Sequence, residues 1–165
     1  KKELQAQIDL AKSIGIKPTH IDSHEGALFF DQSIFKTYLD IGEENQLPVF
    51  VPKEVAVHFD KSFPKPENVV IVENMYMALP NLEFKDWSDY YVNVIENLKP
   101  GLNEIIVHLG YDDKEMQQIT IEHPNYGSKW RNLDMDVVSS ESFKQAIEKN
   151  NIKLVTWREI QKVIY

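Results

Sequence analysis

Apolar runs of strand length alternate along this chain with stretches of helical periodicity, and that alternation limits the fold more than any other feature. Val49-Phe50-Val51, Val69-Val70-Ile71-Val72, Glu104-Ile105-Ile106-Val107-His108 and Ile152-Lys153-Leu154-Val155 read as strands. Leu4, Ile8 and Ala11 open the chain at helical spacing, and Gly15 stops that run. A second helix starts near Ser33, turns Phe35, Tyr38 and Leu39 inward and ends by Pro48, and Trp87, Tyr91, Val94, Ile95 and Leu98 mark a third, closed by Pro100-Gly101. Ser139 or Ser140 caps a helix through Phe143 and Ile147, and Thr156 with Glu159 forms a capping box for the last one. Strands that are apolar on both faces need cover on both faces, which intervening helices supply. The expected fold class is therefore α/β, with parallel strands alternating with helices in a doubly wound sheet or part of a barrel.

At 165 residues the chain is expected to be a single domain over residues 1–165. The segment from Asp60 to Asn68, with Pro64 and Pro66, reads as an exposed loop. Lys and Arg number 18 against 26 Asp and Glu, a net charge of -8 with no basic cluster, which argues against nucleic acid or an anionic membrane surface as a partner. No apolar run is long enough to span a bilayer, so membrane insertion is not expected. The lack of cysteine removes disulfides, thiolate metal sites and cysteine nucleophiles, and leaves the compartment, cytoplasmic or exported, open. The chain opens at Lys1 inside an amphipathic pattern without a signal-peptide profile, so further residues upstream are expected.

Chemistry concentrates in Thr19-His20-Ile21-Asp22-Ser23-His24, which reads as a strand. Alternation puts His20, Asp22 and His24 on one face, and Glu25-Gly26 ends the strand, leaving His24 at its carboxyl end. His108 likewise ends a strand and precedes Gly110. In a parallel sheet those ends share a rim, where α/β proteins bind their ligands, so the two histidines are expected to serve one site. Two imidazoles and a carboxylate suit a cation such as Zn2+, which would lower the pKa of a bound water and polarise a carbonyl. Equally, one histidine could bind metal while the other acts as an acid.

A third stretch, His123-Pro124-Asn125-Tyr126-Gly127-Ser128-Lys129-Trp130-Arg131, reads as a loop. Tyr126 and Trp130 could stack on a sugar, and Arg131 could fork onto a carboxylate of a ligand or of Asp134 or Asp136. His58, flanked by Val57 and Phe59, reads as a packed or surface histidine, and Asp112-Asp113 as the cap of a helix carrying Met116 and Ile119.

Taken together, Pro18-Thr19-His20-Ile21-Asp22-Ser23-His24, Glu104 to Asp112, His123-Pro124 with Gly127-Ser128, and Leu154-Val155-Thr156-Trp157-Arg158-Glu159 resemble the YdjC-like carbohydrate deacetylases, which include chitooligosaccharide deacetylases and hopanoid-biosynthesis relatives. The resemblance covers most of the chain. It implies a portion of a distorted (β/α) barrel of the polysaccharide deacetylase type, a divalent metal ion, Mg2+ or Zn2+, held by an aspartate and two histidines, and an N-acetylated oligosaccharide substrate. His24 is similar to the family's second metal histidine, and His108 to the histidine of its late His-Pro-Gly motif, a general acid. Asp22 joins the catalytic set, and with His20 behind it orients the metal or its neighbours. Tyr111, Tyr126, Trp130 and Arg131 form the expected sugar-binding rim.

Two departures from the family pattern stand out. Its opening Asn-Ala-Asp-Asp-Phe-Gly motif and first metal histidine are absent and would lie upstream of Lys1, so the chain resembles the C-terminal part of a deacetylase. Leu109 replaces the proline of the late motif, and Glu25-Gly26 replaces the second histidine of an Asp-Ser-His-x-His run. A barrel without its first strands exposes sheet edges that upstream residues or a partner chain, such as the second copy in a homodimer, would cover. The alternatives are a non-catalytic carbohydrate- or metal-binding domain, or another metal-dependent barrel enzyme such as a sugar isomerase or phosphoesterase.

Overall fold

The computed structural model describes residues 1–59 and 67–165. In chain order its elements are α1 (Lys2–Ser13), α2 (Gln32–Glu44), β1 (Val49–Pro52), α3 (Lys53–Phe59), β2 (Val69–Val72), β3 (Asn74–Tyr76) and α4 (Trp87–Glu96). There follow β4 (Asn103–Ile105), α5 (Lys114–Ile119), α6 (Ser128–Ser139), α7 (Glu141–Lys149) and α8 (Trp157–Ile164). They fall into two compact units, Lys1–Glu73 with Leu154–Tyr165, and Asn74–Lys153.

In the first unit β1 pairs in parallel with β2, in register from Val49 on Val69 to Pro52 on Val72. On the other edge of β1, Ile21 donates its N–H to the Pro48 carbonyl at 2.9 Å, and Phe50 donates to the Ile21 carbonyl at 3.1 Å. The histidine run thus joins the sheet through a single bridge and not as a full strand. Local side chains divert its next donors. Asp22 Oδ1 accepts from the Ser23 N–H at 2.5 Å, and the buried Ser23 Oγ accepts from the Leu28 N–H at 2.8 Å. The chain then enters a 3-10 turn over His24–Phe29, where Glu25 and Gly26 take φ of 51° and 69°. The Tyr38 hydroxyl lies 2.8 Å from the Ile21 carbonyl and 2.9 Å from that of Phe50, so it bonds the histidine segment to β1. Burial pushes this phenol far above its usual range, keeping it a neutral donor. Around it pack Phe35, Leu39, Val49, Val51, Ala56 and Phe59, while Ile8 of α1 joins Ile41 and Leu47.

In the second unit β3 pairs in parallel with β4, and the Ile106 N–H adds one bond to the Tyr76 carbonyl at 2.8 Å. Val107 and His108 run on beyond the ladder. Trp87, Tyr91 and Ile95 of α4 pack with Trp130 and Val137 of α6 and with Phe143 and Ala146 of α7. Asp113 caps α5 by accepting from Met116, and Ser140 caps α7 by accepting from Phe143.

The α/β class and the parallel pairing agree with the sequence. Besides the histidine run, three expectations change. The described strands form two separate two-stranded sheets, and no closed sheet is present among the described residues. Ile152 to Val155 finds no strand partner among the described residues and leaves Leu154 74% exposed, so it is not assigned as a strand. The stretch read as a loop becomes helix from Ser128, the start of α6. The expected loop from Asp60 lies outside the described residues up to position 66, and Glu67 and Asn68 form a turn. The capping box of Thr156 and Glu159 is present on α8. Among the described residues no helix is long and apolar enough to cross a membrane.

Helix α2 approaches β1 so closely that Gly42 has no room for a side chain. A Cβ there would lie 2.1 Å from Val49 Cγ2 and 3.1 Å from the Leu47 carbonyl oxygen. Gly42→Ala is expected to destabilise the protein by about 1–3 kcal/mol, read as a lower urea midpoint at unchanged slope. An unchanged midpoint would mean that α2 and β1 separate freely.

Candidate active site

In the first unit, His20 and Asp22 flank the bridging Ile21, whose side chain packs against the core. Alternation turns the two polar residues to the opposite face. There the His20 ring stacks on Trp157 of α8, with centroids 4.1 Å apart and planes within 4°. Thr19 Oγ1 lies 3.1 Å from His20 Nδ1. Trp157 is fixed in turn, edge-on to Phe50 at 6.2 Å, and the neighbouring Arg158 donates Nη2 to the Lys17 carbonyl at 2.8 Å. Burial under this stack pushes the His20 imidazole below its usual pKa, and the Asp22 carboxylate partly opposes the shift. Asp22 and His24 are both exposed, and no side-chain hydrogen bond of His24 appears among the described residues. His24 thus offers an accessible imidazole on a segment held by Ile21, Ser23 and the left-handed pair Glu25-Gly26.

In the second unit, His108 lies three residues past the end of β4. Its backbone N–H donates to Asp134 Oδ2 at 2.8 Å. Asp134, on α6, is fully buried, and its Oδ1 accepts from Trp87 Nε1 at 2.8 Å and from the Tyr91 hydroxyl at 3.0 Å. The His108 ring tilts over Tyr126 at 5.0 Å, and Tyr126 over Trp130 at 4.5 Å. Among the described residues His108 Nδ1 and Trp130 Nε1 are both buried without a hydrogen-bond partner.

The residues expected to touch sugar lie at different depths. Tyr111 is 68% exposed, Tyr126 and Arg131 are half-buried, and Trp130 is buried at 2%, edge-on to Trp87 at 4.7 Å. Arg131 Nε donates to the Tyr126 carbonyl at 2.8 Å, and Tyr126 takes a left-handed backbone at φ 63°. His58 is exposed on α3 against Phe59, and His123 is exposed on the turn before α6. Asp134 and Trp157 were named in the sequence without these roles. The signal for Asp134 is a carboxylate within the buried stripe Trp130, Asp134, Val137 of α6.

Among the described residues no group of three or more His, Cys, Asp or Glu side chains stands together as a metal cage. Among the described residues the accessible, unbonded His24 imidazole suits one position in the shell of a divalent cation, and Asp22, two residues before it in the chain, keeps one carboxylate oxygen outside the bond to Ser23. These donors fit part of such a shell, and further ligands would have to complete it.

The family described as YdjC-like protein matches residues 1–149. A carbohydrate deacetylase of Clostridium beijerinckii is 24% identical over 160 residues, covering 96% of this chain and 60% of that protein. A carbohydrate deacetylase of Thermoanaerobacter pseudethanolicus is 24% identical over 155 residues, covering 94% and 57%. The chain therefore spans less than two thirds of the length of these relatives. A crystal structure of a proposed cellobiose-phosphate cleavage protein from Enterococcus faecalis superposes with a TM-score of 0.66 at 20% identity, over 93% of this chain and 56% of that one, and shares its fold.

The stack on His20 has a measurable consequence. Its imidazole should titrate by NMR below the ordinary value of about 6.5, and Trp157→Ala should move it back upward. Because the folded form holds this proton less tightly than the unfolded chain, the His20 contribution to stability is complete above about pH 6.5 and is lost as pH falls through the folded-state value. An unshifted titration in the wild type would mean that Trp157 does not cover the ring.

Proposed function

Because the chain belongs to the YdjC-like family, we propose that the protein is a carbohydrate deacetylase that hydrolyses N-acetyl groups from amino sugars or chitooligosaccharides. The observation that carries this reading is the family match over residues 1–149, which contains every histidine singled out above. The activity named for both curated relatives supports it, as do two imidazoles that each follow a segment in parallel pairing. The segment would be part of a distorted (β/α) barrel, consistent with its parallel pairs and helical cover.

In this reaction water supplies its hydroxyl to the acetyl carbon, the C–N bond breaks, and the amine nitrogen leaves with a proton. His108 is suited to donate that proton, since an imidazole is a proton donor and acceptor and this one is held in place by its backbone and by Tyr126. His24 would hold Mg2+ or Zn2+ together with further donors, and the cation would polarise the amide carbonyl and acidify water. Asp22, beside it on the same segment, would orient the attacking water, with His20 fixed behind by Trp157. Tyr111 and Tyr126 offer aromatic faces to the sugar, Arg131 a cation, and the buried Trp130 supports Tyr126 from below.

Two variants of the full-length protein test the division of roles. His24→Ala should lose bound metal and acetate release together, whereas His108→Ala should lower kcat by about 100- to 10,000-fold with metal content near normal. Metal analysis beside acetate release from N,N'-diacetylchitobiose reads both. Equal loss of metal in the two variants would make His108 a ligand. Sugar or metal binding by the wild type without any acetate release would favour a non-catalytic binding domain.

A further inference from the structure

We propose that Asp134 is a positioning residue for His108: its buried carboxylate, aligned by Trp87 and Tyr91, fixes the stretch of backbone that presents the imidazole. The inference rests on the reading of His108 as the acid.

Three observations lead to it. The last ladder bond before His108 is that of Ile106 to Tyr76, so the His108 N–H has left the sheet and would be orphaned without another acceptor. Asp134 Oδ2 is that acceptor, at 2.8 Å. Its other oxygen is taken by an indole and a phenol from successive turns of α4, which sets the carboxylate plane and with it the directions in which Oδ2 accepts. Tyr91 is itself held, 3.4 Å from the Ala78 N–H, and burial raises its pKa so that it stays a donor. On the far side of His108 the chain is confined again, since a Cβ on Gly110 would lie 3.1 Å from Met116 Cε and 3.3 Å from Arg131 Cβ.

A carboxylate without exposure is a costly way to fill a core, and apolar residues of similar size do that at least as well. Its chemistry here is distinctive in another respect. Donors from both sides demand an acceptor at each end of the side chain, and neither an amide nor a methyl group supplies both. Asp134→Asn keeps the shape but turns an NH2 toward either the His108 N–H or the α4 donors. The His108 segment then loses its anchor or the anchor loses its alignment.

The test is a double-mutant cycle in the full-length enzyme with N,N'-diacetylchitobiose, together with the amide NMR signal of His108. Asp134→Asn should lower kcat by about tenfold or more, change KM by less than about twofold, and move the His108 amide proton upfield as its charged acceptor is lost. In a His108→Ala background the same substitution should leave kcat unchanged, because a residue that acts through His108 has nothing left to position. An equal loss in both backgrounds would show a merely structural role and overturn the proposal, as would an unchanged kcat. Should Asp134→Asn not fold, Trp87→Phe removes one aligning donor and should give a smaller loss with the same dependence on His108; a loss independent of His108 overturns the proposal there too. If His108→Ala itself retains full kcat, the acid reading fails separately. Positioning is then decided by the amide proton, which must still move in Asp134→Asn.

Discussion

A carboxylate shut away from water has to be given donors, and in the second unit that requirement organises the surroundings. Left unpaired, the charge of Asp134 would cost several kcal/mol even after relaxation. The structure meets it with an indole, a phenol and a peptide N–H drawn from α4 and from the chain beyond β4, none of them charged. Charge-assisted bonds of this kind are short and directional. Apolar packing of Trp87, Tyr91 and Trp130 holds the same elements together, but dispersion is tolerant of small shifts, whereas these bonds are not.

The first unit reaches a similar end by neutral means. There the Tyr38 hydroxyl stands between the carbonyls of Ile21 and Phe50, inside a cluster otherwise made of aliphatic and aromatic carbon. In each unit a buried polar group on a helix meets the backbone of a histidine-bearing segment that has little sheet pairing of its own. Such segments lie at the limit of ladder support, and the helix side chain adds a bond to the few that the ladder makes.

Much of this was legible in the sequence. Periodicity located α1, α2, α4 and α7, because an amphipathic stripe is local information, and a capping box located α8. Asp113, Ser140 and Thr156 were readable as caps for the same reason. Strands were less so. Val49–Pro52 and Val69–Val72 found each other, yet Ile152 to Val155, apolar except at Lys153, found no partner among the described residues, since a strand exists only where a partner lies alongside, and the run does not name its partner. The start of α6 was hidden by the turn formers before it, although Trp130, Asp134 and Val137 carry a helical stripe. Among the candidate site residues, His24 and His108 were visible as polar residues ending apolar runs. The cover of His20 by Trp157 was not, because the two come from opposite ends of the chain and only the tertiary fold brings them together.

That last contact bears on how the molecule is made. The first unit is assembled from two stretches with the whole of the second unit between them, and α8 closes it through Trp157 on His20, Arg158 on Lys17 and Gln161 on the carbonyl of Gln46. Closing so long a loop costs chain entropy before any contact repays it, and pairings of such high sequence separation form slowly. During synthesis from the N-terminus, residues Asn74–Lys153 leave the ribosome complete while the earlier unit still waits for its last helix. The histidine segment therefore stays uncovered by Trp157 until the whole of the second unit has been made, and its environment is settled only once α8 has followed.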